Sequence, residues 1–451
     1  MTTPPLVLRP TPRRFRAGAV VLGTTLALGG LTACATTTAT GSGSSAASSS
    51  STSRLFDSAT VHDIAVTYDD DDYDAMIASY QSTGEKAWIT ATVTIDGTTF
   101  EDVGLRLKGN SSLRGLTAAD AEDPAALPWL IRLDKSDDSL SFDGTTSFVV
   151  RSSTTETALN EAVALELIGL SGLATEQAAA SRFSVNGGDA DLRLIIENPD
   201  DAWDAASFGS AGLLYKAEAD GDYSYRGDDP ASYDDVFDQE AGDEDLTPLI
   251  DFLAWIDGAD DATFNAELAA HLDVTAFATY LAMQELVDNF DDISGPGNNS
   301  YLHYDTTSGV FTVVAWDQNL SFGTQNTAGG DAAGGGPAGG AMPDGAMPDG
   351  AMPDGDRPGR PTGGAAPGGG AAGQPGGGMG GNVLAERFMA DDEFAALYAS
   401  TLADLTATLY ASGTAADIVR SWTTVLTDQA GDLVSTETID QEAAAITTYF
   451  D

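Results

Sequence analysis

The sequence predicts an α+β fold, with a sheet-rich N-terminal half and a helical C-terminal half. Three observations point there. Short runs with strand-like alternation of apolar and polar residues recur between positions 60 and 197. From about Leu246 onward the apolar residues fall at helical spacing instead. A stretch dominated by Gly, Ala and Pro, 328–382, then separates this block from a last amphipathic segment, 383–451.

Taken in order, 60–68 alternates enough to be a strand, and a short helix is expected over 73–80. The run Asp69-Asp70-Asp71-Asp72 before it suits a helix start, where acids offset the helix dipole; a calcium site is the lesser reading. Segments 87–95 and 98–107 read as a hairpin turned by Asp96-Gly97. A polar loop, 108–112, follows. Further strands are expected at 129–133, 147–151, 180–185 and 192–197, with a helix over 156–169 whose stripe is Ala162, Leu165 and Ile168. The first half is thus a mixed sheet with an inserted helix. A helix over 273–287 carries Phe277, Tyr280 and Leu281, and strands 301–304 and 310–316 flank a turn at 305–309. Two or three helices are expected over 383–451, their stripe opening with Leu384, Phe388, Phe394, Leu397 and Tyr398.

The chain divides accordingly. Residues 1–33 read as a signal peptide, with Arg9, Arg13, Arg14 and Arg16 ahead of the apolar run 17–33. That run ends in Leu31-Thr32-Ala33-Cys34, which resembles a bacterial lipoprotein box, and Cys34 is the only cysteine. A lipidated Cys34 would tether the protein by acyl-chain burial worth roughly 0.8 kcal/mol per CH₂. The expected location is therefore the outer face of the cell membrane, with the lipid anchor as the only membrane contact. Residues 34–55 are a Ser/Thr/Ala-rich flexible tether, 56–327 the main domain, 328–382 a disordered insertion with three Ala-Met-Pro-Asp-Gly repeats, and 383–451 helices that complete the domain.

Formal net charge is −49, from 69 acidic and 20 basic residues. Such a chain repels nucleic acid and anionic membrane, so neither is expected as a partner. With three histidines, His62, His271 and His303, none at ligand spacing with another, a histidine zinc site or a Ser-His-Asp triad is not expected.

Chemistry concentrates in three segments: 287–292 (Val-Asp-Asn-Phe-Asp-Asp), 298–301 (Asn-Asn-Ser-Tyr) and 316–319 (Trp-Asp-Gln-Asn). Carboxylate and carboxamide oxygens suit hard cations such as Mg²⁺ or Mn²⁺. A carboxylate to handle a proton, with an Asn and a second Asp for metal, is what phosphoryl transfer requires. The hairpin between the last two segments should bring Asn299 and Asp317 together. The competing reading makes Asp288, Asp291 and Asp292 loop caps and Trp316-Asp317 a strand end.

At these residues the chain resembles the spore coat protein H (CotH) kinase family of atypical protein kinases. The resemblance is carried in order by Gly104-Leu105-Arg106-Leu107-Lys108-Gly109-Asn110-Ser111-Ser112, Leu159-Asn160-Glu161-Ala162, Val185-Asn186-Gly187 with Leu194-Ile195-Ile196-Glu197, Leu213-Leu214-Tyr215-Lys216, Asn289-Phe290-Asp291, Asn299-Ser300-Tyr301, and Trp316-Asp317 with Phe322-Gly323. It implies a kinase-like fold and an exported enzyme that transfers the ATP γ-phosphate to Ser or Thr hydroxyls of surface or secreted proteins. Asp291 would receive the acceptor proton, and Asn299 and Asp317 would hold Mg²⁺ or Mn²⁺. Gly109, Asn110 and Ser111 would approach the phosphates, Glu161 would orient a basic residue onto them, and Glu197 would lie near the adenine. Leu127 stands where the family often has Lys, which leaves Arg132 or Lys108 as the phosphate-contacting base. Arg106, Lys135 and Lys216 are the other scarce cations of the sheet half, Lys216 a further candidate contact, with a structural ion pair the competing reading for each. Asn319 replaces the second acid of the family's W-D-x-D, and Gly295-Pro296-Gly297 enlarges the loop after Asp291. The alternative is a surface scaffold that kept the fold and lost the chemistry.

Overall fold

The structure, a computed structural model, describes residues 54–209, 212–324 and 381–450, apart from the side chain of Ser111. The expected signal peptide, Cys34 and the repeats of the insertion lie outside the described residues. The described chain opens on a 3₁₀ turn, Arg54–Phe56, whose Leu55 is fully buried.

Seven strands, β1 (Val61–Tyr68), β2 (Ile89–Ile95), β3 (Thr98–Leu107), β4 (Trp129–Arg132), β5 (Ser147–Val150), β6 (Ala178–Val185) and β7 (Asp191–Glu197), form a closed barrel in the order β1-β2-β3-β4-β5-β7-β6. The sheet expected from the sequence is thus rolled shut. Closure comes from the parallel pairing of β1 with β6, residues some 120 apart in sequence (Val61 opposite Ala180). Every other pairing is antiparallel, and the β2–β3 hairpin turns at Asp96 and Gly97, both with positive φ as such a two-residue turn demands. Alternation fills the barrel: Ile64, Val66, Val93, Ile95, Val103 and Leu105 point inward. Helix α1 (Asp70–Thr83) packs Tyr73, Met76 and Ile77 against this core, and Asp69 caps it through its side chain, as the acidic run predicts.

Helix α2 (Leu159–Leu170) joins β5 to β6 and is buried on nearly every side. Beyond the barrel stands a four-stranded sheet, ordered β11-β10-β8-β9, from β8 (Gly212–Ala217), β9 (Phe237–Ala241), β10 (Ser300–Asp305) and β11 (Val310–Ala315). Helices α3 (Asp201–Phe208), α4 (Thr247–Gly258), α5 (Asp261–Glu267) and α6 (Val274–Leu286) surround it. Four helices follow the insertion: α7 (Val383–Ala390), capped by Asn382, α8 (Asp392–Leu405), α9 (Thr414–Gln429) and α10 (Thr436–Thr447). That is at least one more than the sequence suggests, because breaks at Asp391, Gly413 and Ser435 subdivide the amphipathic stripe. Among the described residues no helix is long and apolar enough to cross a membrane.

Candidate active site

The ends of β3 and β5 meet the second sheet at a cleft of about 390 Å³. That volume is in the range of small-molecule sites. Lys86, Arg106, Lys108, Arg114, Arg151 and Lys216 all line it. Six of the chain's 20 basic residues therefore gather at one place on a protein of net charge −49. Such clustering costs electrostatic free energy unless an anion or local acids answer it. Glu218, Asp238 and Glu240 answer part of it: Lys216 bonds to Glu218, and the Lys108 ammonium lies 3.9 Å from Glu240. Lys108 also donates to the Asn198 amide oxygen at 3.4 Å and sits over the Trp316 ring. Burial, reinforced by Lys216, Arg106 and Lys86 against the pull of Glu240, lowers its pKa to about 8.

The three expected oxygen-bearing side chains, Asp291, Asn299 and Asp317, share this cleft with the cations. The β10–β11 hairpin does this: Ser300 pairs with Ala315, so Asn299 and Asp317 extend from adjacent strand ends. Asn299 donates its side-chain amide to the Asp291 carbonyl at 2.9 Å. The Asp291 carboxylate accepts from the Gly297 N–H at 2.6 Å. A β-carbon on Gly297 would lie 2.9 Å from both Asp291 carboxylate oxygens and from the Asn299 amide nitrogen. Pro296 and Gly297 are therefore part of the site's wall. Burial, with the nearby Asp317 charge, pushes the Asp291 carboxyl up from its ordinary range against the Gly297 and Asn299 hydrogen bonds.

Gly109 also lines the cleft, at φ +131; a β-carbon there would collide with the Ser112 hydroxyl, so only glycine fits. Asn110 lines it as well. Ser111 begins the 3₁₀ turn Ser111–Leu113. Three predicted residues, Arg132, Glu161 and Glu197, do not line the cleft. Arg132 is the outward member of β4 and pairs with Asp134 at 2.9 Å. Glu197, on β7, instead accepts from the Gln177 backbone and side chain at 2.9 and 3.0 Å.

Glu161 is buried, and the base it holds is Arg151, a cleft residue that the sequence reading did not single out. The Arg151 Nε lies 2.8 Å from the Glu161 carboxylate, and its Nη2 bonds to Asp317. Burial disfavours the guanidinium charge, but Asp317 and Glu161 outweigh it and hold Arg151 ionised. The available signal was a lone Arg closing an apolar strand in a chain poor in cations.

Two carboxylates and an amide are a lean donor set. Among the described residues no three His, Cys, Asp or Glu side chains group as a metal site. Mg²⁺ fits such a set, since it takes one or two carboxylates and completes its shell with water and phosphate.

A protein-family comparison places the chain. The profile described as CotH kinase protein matches residues 105–447, about three quarters of the chain. The chain belongs to the CotH kinase family. The match begins in β3, spans the cleft and the insertion, and runs to the end of α10, so the C-terminal helices are part of the CotH unit. A search among curated proteins finds no match.

Proposed function

We propose that this CotH family member is a protein kinase of kinase-like fold, exported and held at the outer membrane face through Cys34. It transfers the ATP γ-phosphoryl group to a Ser or Thr hydroxyl of a surface or secreted protein. The observation that carries the reading is the cleft itself, which six basic residues share with Asp291, Asn299 and Asp317.

Lys108, Lys216 and Arg151 bind and orient the triphosphate, and the backbone at Gly109 approaches it closely. Asp317 and Asn299 are the residues that would hold Mg²⁺ or Mn²⁺. When bound, that ion neutralises developing phosphate charge. The acceptor oxygen forms its bond to the γ-phosphorus as the bond to the β,γ-bridging oxygen breaks. ADP leaves with that electron pair, and the hydroxyl proton passes to Asp291. The raised affinity of Asp291 for protons makes it a better base than an exposed aspartate. Glu161 keeps Arg151 aimed at Asp317.

Asn319, which lines the cleft as an amide, favours a second reading: a scaffold whose weakened metal site no longer turns over. Thermal unfolding with ATP and Mn²⁺ tests binding directly. A site that binds raises the unfolding temperature through linkage, by about 2.7 kcal/mol of stability at ligand concentrations 100 times the dissociation constant. No shift at saturating nucleotide contradicts the proposal.

A further inference from the structure

Helix α2 starts without a side-chain cap of its own. Its N-cap, Ala158, has left-handed backbone at φ 54, an unfavourable conformation for any residue with a β-carbon. The Ala158 N–H donates to the Thr155 hydroxyl at 3.1 Å, and the two amides just before the N-cap are served from the far end of the chain. The Glu442 carboxylate, on α10, accepts from the Glu156 N–H at 2.8 Å and the Thr157 N–H at 3.0 Å. The Thr157 hydroxyl donates to the same carboxylate and accepts from the Leu159 N–H at 3.2 Å. A negative charge at a helix N-terminus is also favoured by the helix dipole.

The two residues that follow serve the site. Asn160 donates to the Asn319 carbonyl, two residues past Asp317, and Glu161 holds Arg151. The end of the same C-terminal segment reaches the site's other side. The Tyr449 hydroxyl lies near the Asp288 carboxylate, three residues before Asp291, and burial together with that charge raises the tyrosine's pKa. Its ring lies edge-on to Phe322 with centroids 5.7 Å apart.

We propose that Glu442 is a positioning residue for phosphoryl transfer. It touches no reacting atom. It fixes the first turn of α2 so that Glu161 and Asn160 hold Arg151 and the Asp317 loop in mutual register. This rests on the kinase reading above, and the test separates the two.

Glu442→Ala, Glu442→Gln and a control, Glu437→Gln on an exposed face of α10, are compared in the full chain. Steady-state transfer and amide hydrogen exchange over 155–163 are measured on each. Glu442→Ala should lower kcat tenfold or more with a smaller change in KM for ATP, because Lys108 and Lys216 still hold the triphosphate while Arg151 and the Asp317 loop lose alignment. Exchange at the start of α2 should accelerate. Glu442→Gln keeps one acceptor oxygen and should recover part of kcat, and the control should change neither readout. An unchanged kcat in Glu442→Ala, or no recovery in Glu442→Gln, overturns the proposal. If the unaltered protein transfers no phosphate, the kinase reading fails by itself. The positioning role falls with it, and exchange then decides only the structural half: faster exchange confined to the α2 start shows that Glu442 orders that turn, and unchanged exchange overturns this too.

Discussion

Replacing Arg151 by Met tests the ion-pair arrangement most severely. The guanidinium is buried and answers two carboxylates, Glu161 at 2.8 Å and Asp317. Removing one partner of a buried pair costs about 3–5 kcal/mol, because an uncompensated charge stays behind. Here the residue left behind is Glu161, which is fully enclosed and near the Asp317 charge. The cost should depend on pH, with a definite sign. Burial already raises the Glu161 carboxyl, with Arg151 pulling it down and Asp317 pushing it up. Loss of Arg151 removes the downward pull and raises it further. A group raised above its unfolded value stabilises at low pH and loses that contribution as pH rises through its folded value. Arg151→Met should therefore be nearly as stable as the unaltered protein in mild acid and carry its full deficit in mild alkali. Urea unfolding midpoints across that range read it out. The double variant Arg151→Met with Glu161→Met replaces the pair by apolar side chains and should regain most of the loss. A deficit equal at both ends of the range, with no recovery in the double variant, would refute the reasoning.

Other outcomes follow from the same geometry. Gly109→Ala forces a β-carbon into the Ser112 hydroxyl at φ +131 and should cost about 1–3 kcal/mol of stability while abolishing the nucleotide-dependent thermal shift. Nucleotide affinity, measured by titration calorimetry, should fall as pH rises through about 8, where Lys108 loses its charge, and Lys108→Met should lack that step. The same depressed Lys108 pKa makes stability rise, not fall, between pH 8 and the ordinary lysine value, since the buried charge is relieved first in the folded state. Gly297→Ala should slow transfer at least tenfold with nucleotide binding retained, because its β-carbon presses on the Asp291 carboxylate; single-turnover kinetics separates the two.

Local geometry was legible in the sequence, and long-range partnership was not. The hairpin logic that placed Asn299 beside Asp317 needed only two alternating runs and a turn, and the Ser300–Ala315 register bears it out. The Asp96-Gly97 turn was equally local. Strand β9 was hidden because its sequence, Phe-Asp-Gln-Glu-Ala, places acids where a strand signal expects β-branched or aromatic residues. Barrel closure through the β1–β6 pair joins segments whose own patterns say nothing of each other. The same limit separated Arg132 from Arg151. Both sit at strand ends, but strand alternation turns Arg132 outward, and Arg151 gains its role from Asp317, 166 residues away.

The central claim is that Asp291 and Asp317 serve one phosphoryl-transfer centre. Label transfer from γ-labelled ATP to acceptor protein, run on the unaltered chain, Asp291→Ala and Asp317→Ala, tests it most directly. The account predicts transfer by the unaltered chain and its loss in both variants, with ATP-dependent thermal stabilisation kept in Asp291→Ala and reduced in Asp317→Ala. Transfer that survives either substitution, or its absence from the unaltered chain, would contradict it.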